Sequence, residues 1–287
     1  MRDRLWPAAV DDLLDGPQSA VEVIGPDRRQ VGDRQVLRLE DSPESDESNE
    51  SDESAASADP IAAYRSLLSR LAPAAPFAMP TPVGDHGPWL VLEIPTGVPA
   101  DRPDRHPEPA NLATRVGEAL AVLHGLSTDL AGDEGAAGSA SADPWAPIVA
   151  RCRRAVAADL VDTTELPAPY DRYRPEELLR LLVEGVDAAG PPADGPVLCH
   201  GRPQLGRFLV DGDRFVGFDG LETVLVADRH LDLATAHLSV AEVLGAEAVY
   251  AFYEGYGADP DLARLDRAIL AHHLLTVQPR TPSADRG

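Results

Sequence analysis

Four side chains that could act on a phosphorylated molecule lie close together in one part of the sequence. His200, Arg202 and Arg207 fall in the stretch Pro196-Val-Leu-Cys-His-Gly-Arg-Pro-Gln-Leu-Gly-Arg-Phe-Leu-Val210, and Asp219 follows it. An imidazole can transfer a proton, a guanidinium can bind a phosphate, and a carboxylate can coordinate a divalent cation. These residue types at this spacing allow a site for an anionic small molecule; alternatively, the two arginines are paired with nearby acids such as Asp211, Asp213 or Glu222.

The surrounding pattern predicts the elements that position these residues. Val197–Cys199 is a short apolar run typical of a strand, and residues 208–210 and 215–218 are two further apolar runs. The Asp211-Gly-Asp turn between the last two runs predicts a β-hairpin, and a helix is expected to begin near Asp232. A polar loop beside a hairpin is a common location for binding and catalytic residues.

This order of elements resembles the C-terminal lobe of the aminoglycoside phosphotransferase and choline-kinase-like family of small-molecule kinases. That family has His-Gly-Asp, four further residues, an Asn, a strand ending in a metal-binding Asp, and then Ala-Asp-Arg and Asp-Leu-Ala. His200 and Gly201 match the first element, and residues 227–229 and 232–234 match the last two. The resemblance implies an α+β, two-lobed protein-kinase-like fold, with a small antiparallel-sheet N-terminal lobe and a mainly helical C-terminal lobe.

The residues that carry the chemistry in that family are replaced in this chain. The catalytic Asp of the family falls on Arg202 and its metal-binding Asn falls on Arg207. The metal-binding Asp falls on Gly220, with Asp219 one position earlier. In a regular strand a slip of one residue turns a side chain to the opposite face, whereas a one-residue bulge restores its direction. Asp219 is therefore the one candidate metal ligand.

The N-terminal part lacks a second pair of charges that the resemblance implies. In the family a strand Lys pairs with the nucleotide phosphates and with a Glu on the next helix. Arg38, in the run 35–39, occupies roughly the place of the Lys; alternatively, it is an exposed Arg on an edge strand. Asp59 is expected to cap a helix over 61–72, and that helix contains no Glu or Asp.

The resemblance also places a nucleotide-binding hinge in the sequence. The segment 89–95 is expected to be a strand that leads into the hinge, where backbone groups at Glu93 and Ile94 would contact the adenine base. Such backbone contacts do not depend on particular side chains. An active member of the family would use ATP and Mg²⁺, whereas a degenerate member need not use any cofactor.

The expected organisation is two lobes with one insert. Residues 1–95 form the N-terminal lobe, and residues 96–287 form the C-terminal helical lobe with a catalytic-like loop at 197–234. Residues 41–58 are a run of Ser, Asp and Glu without hydrophobic periodicity, which predicts a disordered acidic insert.

The composition limits the classes of partner. A net charge of −23 and a pI near 4.5 argue against binding to nucleic acid or to an anionic membrane, and no apolar run approaches the length of a membrane span. All 25 basic residues are Arg, and this acidic composition without Lys favours a halophilic protein over a high-GC codon bias alone. Cys152 and Cys199 are too few for a disulfide scaffold, so we expect a reducing cytoplasm.

Three functional hypotheses follow from these residues. The first is a catalytically degenerate, pseudokinase-like phosphotransferase homologue that acts as a binding or regulatory module for a small molecule or nucleotide. The second is an active ATP-dependent kinase that phosphorylates a hydroxyl of a small molecule. The third takes Arg202 and Arg207 as a pair that binds an anionic ligand. His200 is a candidate catalytic residue in the active alternative, or a residue that simply holds the loop. No protein partner is indicated.

Overall fold

The computed structural model describes residues 10, 13–14, 21–25, 28–31, 33–39, 59–102, 108–132, 143–212 and 214–276. The N-terminal lobe is built on a five-stranded antiparallel sheet with the strand order β1-β2-β3-β5-β4. Its strands are β1 Val21–Gly25, β2 Arg28–Val31, β3 Arg34–Arg38, β4 Thr81–His86 and β5 Trp89–Glu93. The central pair β3 and β5 buries Val36, Leu37 and the run Leu90 to Leu92, because both faces of these strands are covered.

Helix α1, Pro60–Leu71, covers one face of this sheet. Asp59 caps its first turn by accepting a hydrogen bond from the Ile61 N–H at 3.0 Å, and Pro60 occupies the first helical position, where no N–H is needed. The helix predicted over 61–72 is therefore present, shifted by one residue. Its buried side chains recur at helical spacing and belong to the same core as Leu37, Leu90 and Leu92; they are Ile61, Tyr64, Leu67, Leu68 and Leu71.

Two chain segments connect the sheet lobe to the rest of the molecule. After β5 the chain continues into β6, Val98–Pro99, which pairs with β8, Phe208–Asp211; β8 in turn pairs with β9, Arg214–Phe218. The second connection is Ala78, which forms an isolated parallel bridge with Gly217. A Cβ atom on Gly217 would lie 2.1 Å from the Ala78 carbonyl oxygen, so this close approach of the two backbones requires glycine.

The C-terminal lobe is mainly helical. A two-stranded antiparallel pair, β7 and β10, carries the loops of interest; its bounds are Val197–Cys199 and Leu225–Ala227. The six helices among the described residues of this lobe are α2 Pro109–His124, α3 Ala146–Ala157, α4 Pro175–Ala189, α5 His230–Leu244, α6 Ala248–Tyr256 and α7 Leu262–Leu275. Helices α2 and α6 cross closely at Gly117, where a Cβ atom would lie 2.1 Å from the Phe252 carbonyl oxygen.

This architecture confirms the two-lobed α+β fold that the sequence predicted, with a small antiparallel-sheet lobe and a mainly helical lobe. The last strand of the five-stranded sheet along the chain ends at Glu93. The predicted acidic insert, 41–58, lies outside the described residues. Of the helices within the described ranges, none combines the length and apolar character needed to cross a membrane.

Candidate active site

The loop after β7 is fixed by a buried carboxylate in the first turn of α5. Asp232, which has no solvent exposure, accepts hydrogen bonds from the backbone N–H groups of His200 (2.6 Å) and Gly201 (2.9 Å). Its Oδ2 also lies 3.1 Å from His124 Nε2, and His124 Nδ1 lies 2.9 Å from the Tyr256 hydroxyl. Three donors thus satisfy the carboxylate, which accounts for its complete burial.

Glycine is required at the second position of this loop. Gly201 has a φ of +86°, and a Cβ atom there would lie 2.1 Å from the Thr223 carbonyl oxygen. The Thr223 hydroxyl donates to the His200 carbonyl oxygen at 2.8 Å, which ties the loop to the turn before β10. The His-Gly pair is therefore needed for the backbone course of the loop, independently of any catalytic role.

His200 is fully buried and connects two loops. Its Nε2 lies 3.0 Å from the Asp219 carbonyl oxygen, and its Nδ1 lies 3.4 Å from the Arg202 backbone nitrogen. These contacts assign the neutral tautomer with the proton on Nε2, since Nδ1 faces a donor. Burial lowers the pKa of His200, which favours the same neutral form. The placement supports the reading in which His200 holds the loop, because its ring has no solvent-accessible surface.

A second buried carboxylate, Asp228, anchors the chain between β10 and α5. It accepts hydrogen bonds from Trp145 Nε1 at 3.1 Å, His230 Nδ1 at 2.7 Å and Arg264 Nη1 at 2.9 Å. Burial alone would raise the pKa of Asp228, but the hydrogen bonds from His230 and Trp145 outweigh it and hold the pKa below its usual range. Asp228 is thus committed to the framework and is not available to a metal ion.

Strand β9 contains the bulge on which the assignment of the metal ligand depends. Leu209 of β8 pairs with Gly217, whereas the next residue, Val210, pairs with Phe215, so that Val216 is an extra residue on β9. The bulge changes the facing of the residues that follow. The Asp219 side chain, just after β9, points toward Gln35 of β3 in the N-terminal lobe.

The Asp219 carboxylate is surrounded by nitrogen donors. Its Oδ2 accepts a hydrogen bond from Gln35 Nε2 at 2.8 Å and lies 3.5 Å from Arg207 Nη1. The Asp219 backbone N–H donates to the Arg207 carbonyl oxygen at 2.9 Å. Asp219 is only 4% exposed, so these contacts form in a place that is largely closed to water.

Gln35, and not Arg38, is the β3 residue at this position. Arg38 is exposed, and its guanidinium lies 5.6 Å from the centre of the Trp89 ring. Successive strand residues point to opposite faces, so positions 35 and 38 cannot share one. The resemblance had placed Arg38 roughly where the family has its phosphate-binding Lys. The structure does not bring Arg38 to the group around Asp219. A polar Gln at the start of an otherwise apolar run was the sequence signal for this contact.

The two arginines of the loop differ in their surroundings. Arg202 is exposed. The Arg207 side chain is 18% exposed and lies across Gly220, where a Cβ atom would be 3.0 Å from Arg207 Cδ. Gly220 has a φ of +81°, so glycine is favoured there for two reasons. Arg207 is thus packed against the Asp219-Gly220 turn, while Arg202 extends from the loop.

The residues described here do not fit a Mg²⁺ site. Mg²⁺ requires oxygen ligands in near-octahedral geometry at about 2.0–2.1 Å. Asp219 is the candidate carboxylate. Its Oδ2 accepts a hydrogen bond from the Gln35 amide and faces the Arg207 guanidinium. The Arg207 guanidinium lies 3.5 Å from Asp219 Oδ2, so a divalent cation at that oxygen would meet electrostatic repulsion.

The hinge offers few donors to a base. Ile94 donates its backbone N–H to the Asp33 carbonyl oxygen at 3.0 Å, and Pro95 has no N–H. The two residues that follow β5 therefore present no backbone N–H to a ligand in this conformation. The predicted contact of Ile94 with adenine is thus limited to its carbonyl oxygen.

The family that these motifs resemble is confirmed by sequence comparison. The profile of the Phosphotransferase enzyme family matches residues 20–267, and the chain belongs to that family. An aminoglycoside 3'-phosphotransferase from Niallia circulans is 34% identical over 108 residues. That match spans 37% of this chain and only 39% of the relative.

Comparison with solved structures supports the same fold over nearly the whole chain. The aminoglycoside phosphotransferase APH(3'')-Id from Streptomyces rimosus is similar with a TM-score of 0.68 and 22% identity, covering 93% of this chain and 97% of that one. A choline/ethanolamine kinase family protein from Mesorhizobium loti is similar with a TM-score of 0.54 and 17% identity, covering 91% and 76%. At these identities the likeness establishes the fold alone.

Proposed function

We propose that this chain is a phosphotransferase homologue that binds a nucleotide or another phosphorylated small molecule without transferring a phosphoryl group. The observation that carries the proposal is the residue after His200-Gly201, which is the exposed cation Arg202. Phosphoryl transfer in this fold uses a carboxylate at that position to orient the attacking hydroxyl. A guanidinium cannot accept the proton of that hydroxyl, because it remains protonated at any physiological pH.

The surroundings of Asp219 support the same proposal. Catalysis of phosphoryl transfer depends on metal ions that neutralise the charge developing on the phosphates. Here the carboxylate is engaged by Gln35 and Arg207, both of which are nitrogen donors. Two parts of the reaction machinery, the catalytic carboxylate and the metal site, are therefore replaced together.

Relatives of the same fold support binding of a nucleotide and a small molecule in the cleft. The Streptomyces rimosus phosphotransferase has been solved in complex with ADP and streptomycin, and an APH(2") enzyme has been solved with GDP and kanamycin. In this chain Asp232 holds the backbone of the loop that carries the two arginines. A binding or regulatory role uses this geometry without the missing carboxylate.

The second candidate is an active ATP-dependent kinase, and the bulge in β9 favours it. Asp219 follows this bulge with its carboxylate toward β3, and in an active member of the family it would be the metal ligand. In that case the arginines would serve to stabilise phosphate charge, and Asp219 would have to exchange Gln35 for a metal ion.

A turnover assay separates the two candidates. The wild-type protein is incubated with ATP, Mg²⁺ and aminoglycoside acceptors, and both ADP release and labelled product are measured. We expect no release above that of the Asp219→Asn variant. ATP turnover by the wild type that disappears in Asp219→Asn would overturn the proposal, since it would show that this carboxylate still holds a catalytic metal.

A further inference from the structure

The geometry around Arg207 has a consequence for how an anion is bound. Arg207 follows a short 3-10 turn, its Nη1 faces Asp219 Oδ2 at 3.5 Å, and its aliphatic part lies on Gly220. The guanidinium is therefore held at a fixed place on the site rather than extended into solvent. Gln35 donates to the same carboxylate oxygen from the opposite lobe.

We propose that the Arg207 guanidinium takes the place of the divalent cation, so that the site binds a phosphate-bearing ligand without Mg²⁺. This inference rests on the proposed function and adds the class of ligand group and the absence of a metal requirement. Asp219 is then a positioning residue for Arg207, not a metal ligand. Arg202, five positions earlier on the same loop, provides a second cation for the same anion.

Physical chemistry favours this exchange. A guanidinium presents several N–H donors in one plane and matches a phosphate with two parallel hydrogen bonds. Its charge is permanent, so it needs no ion from solution. A carboxylate at one side of the guanidinium fixes its orientation but also competes with the ligand for it, because both are anions. Removing that carboxylate should therefore strengthen phosphate binding, whereas it would destroy a metal site.

The hinge indicates which part of a nucleotide the site recognises. Ile94 and Pro95 offer no backbone N–H to the ring nitrogen of a purine. Recognition should therefore depend on the phosphates more than on the base. We expect ADP and GDP to bind with affinities that agree within about threefold, a difference of less than 1 kcal/mol.

The test is titration calorimetry of the full chain with ADP at constant ionic strength, once with EDTA and once with Mg²⁺. Constant ionic strength matters because the net charge of −23 repels anions in a way that salt screens. We expect equal affinity in the two buffers. Binding that requires Mg²⁺, or no binding in either buffer, overturns the inference. Neither result is evidence for phosphoryl transfer, which the turnover assay tests separately.

Two variants give effects of opposite sign. Arg207→Gln should weaken ADP binding in EDTA about tenfold, the loss of one charge-assisted contact. Asp219→Asn should strengthen it by about threefold, since a competing anion is removed. The matched control is Arg214→Gln, which changes the net charge equally at a side chain that is 73% exposed on the β8–β9 hairpin. It should leave the affinity unchanged.

Other results with the same variants would contradict the inference. Weaker binding in Asp219→Asn together with dependence on Mg²⁺ would assign a metal site to that carboxylate. An equal loss of ADP affinity in Arg207→Gln and Arg214→Gln would show that the change in net charge alone causes the effect. Thermal unfolding of each variant, measured without ligand, identifies any that is not folded; in that case Arg207→Lys, which keeps the charge but loses the planar fork, should still bind in EDTA more weakly than the wild type.

Discussion

The two sides of the loop after β7 differ in their contacts. We call the side with the buried carboxylates Asp232 and Asp228 the back, and the side with Arg202 and Arg207 the front. At the back, Asp232 and Asp228 are fully buried, and each accepts at least three hydrogen bonds. At the front are Arg202 and Arg207, which the resemblance aligned with the family's catalytic Asp and metal-binding Asn. The hydrogen bonds that shape the loop are thus complete, whatever chemistry the front of the loop performs.

The difference indicates that the framework is maintained for stability and shape, separately from catalysis. Buried carboxylates are costly to leave without partners, so the back of the loop cannot lose one residue without large destabilisation. Arg202, which is exposed at the front, carries no such constraint. A binding function that depends on the loop backbone and on cations needs only this framework and the arginines.

The largest expected effect is at the back of the loop. Asp232→Ala leaves the His200 and Gly201 N–H groups and His124 without their acceptor, and should lower the free energy of unfolding by about 3–5 kcal/mol. Urea denaturation followed by circular dichroism measures this loss. Asp211→Ala, at a side chain 73% exposed, is the control and should change it by less than about 0.5 kcal/mol. Equal effects in the two variants would remove the contrast between back and front.

The next effect concerns the backbone of the loop itself. Gly201→Ala should destabilise by about 2–3 kcal/mol, because it combines a positive φ with a clash against the Thr223 carbonyl. Gly212, in the β8–β9 turn, also has a positive φ, of +64°, but a Cβ atom there meets nothing within 4 Å. Gly212→Ala should therefore cost only about 1 kcal/mol. Thermal melts of both variants test the difference, and a larger loss at Gly212 would contradict the packing of the loop.

A third, smaller effect sharpens the comparison by restoring the front. The double variant Arg202→Asp and Arg207→Asn removes two cations and returns a carboxylate and an oxygen ligand. It should show a rise in melting temperature of a few degrees with ADP only when Mg²⁺ is present, since a ligand that binds the native state stabilises it. The wild type should show the same rise with and without Mg²⁺. A double variant that remains indifferent to Mg²⁺ would mean that Asp219 stays bound to Gln35.

The smallest expected effect is a dependence of stability on pH that arises from two histidines, His200 and His272. Burial lowers the pKa of His200, and burial together with His273 lowers that of His272 to about 4. The unfolded chain therefore binds more protons than the folded chain below pH 6.5, and stability should fall as the pH drops from 7.5 to 5. His272→Gln should reduce this fall by about 1 kcal/mol, discounted because the ring is only partly buried. An unchanged slope in His272→Gln would contradict the assignment.

The sequence by itself determined the family, the order of elements and the backbone of the loop. These features depend on local spacing: the His200-Gly201 pair, the residues 227–229 and 232–234, and the Asp59-Pro60 start of α1 are all readable within a few positions. The sequence also predicted that Arg202 takes the place of the catalytic carboxylate, because that place is counted directly from His200.

Only the tertiary structure decided which residues surround Asp219. The contact from Gln35 joins positions 184 apart, and it depends on which face of β3 turns toward the C-terminal lobe. Alternation along that strand places Arg38 on the other face, so a count along the sequence could not identify the partner. The bulge at Val216 likewise follows from the pairing of β8 with β9, which is settled by the packing of two strands and not by either strand alone.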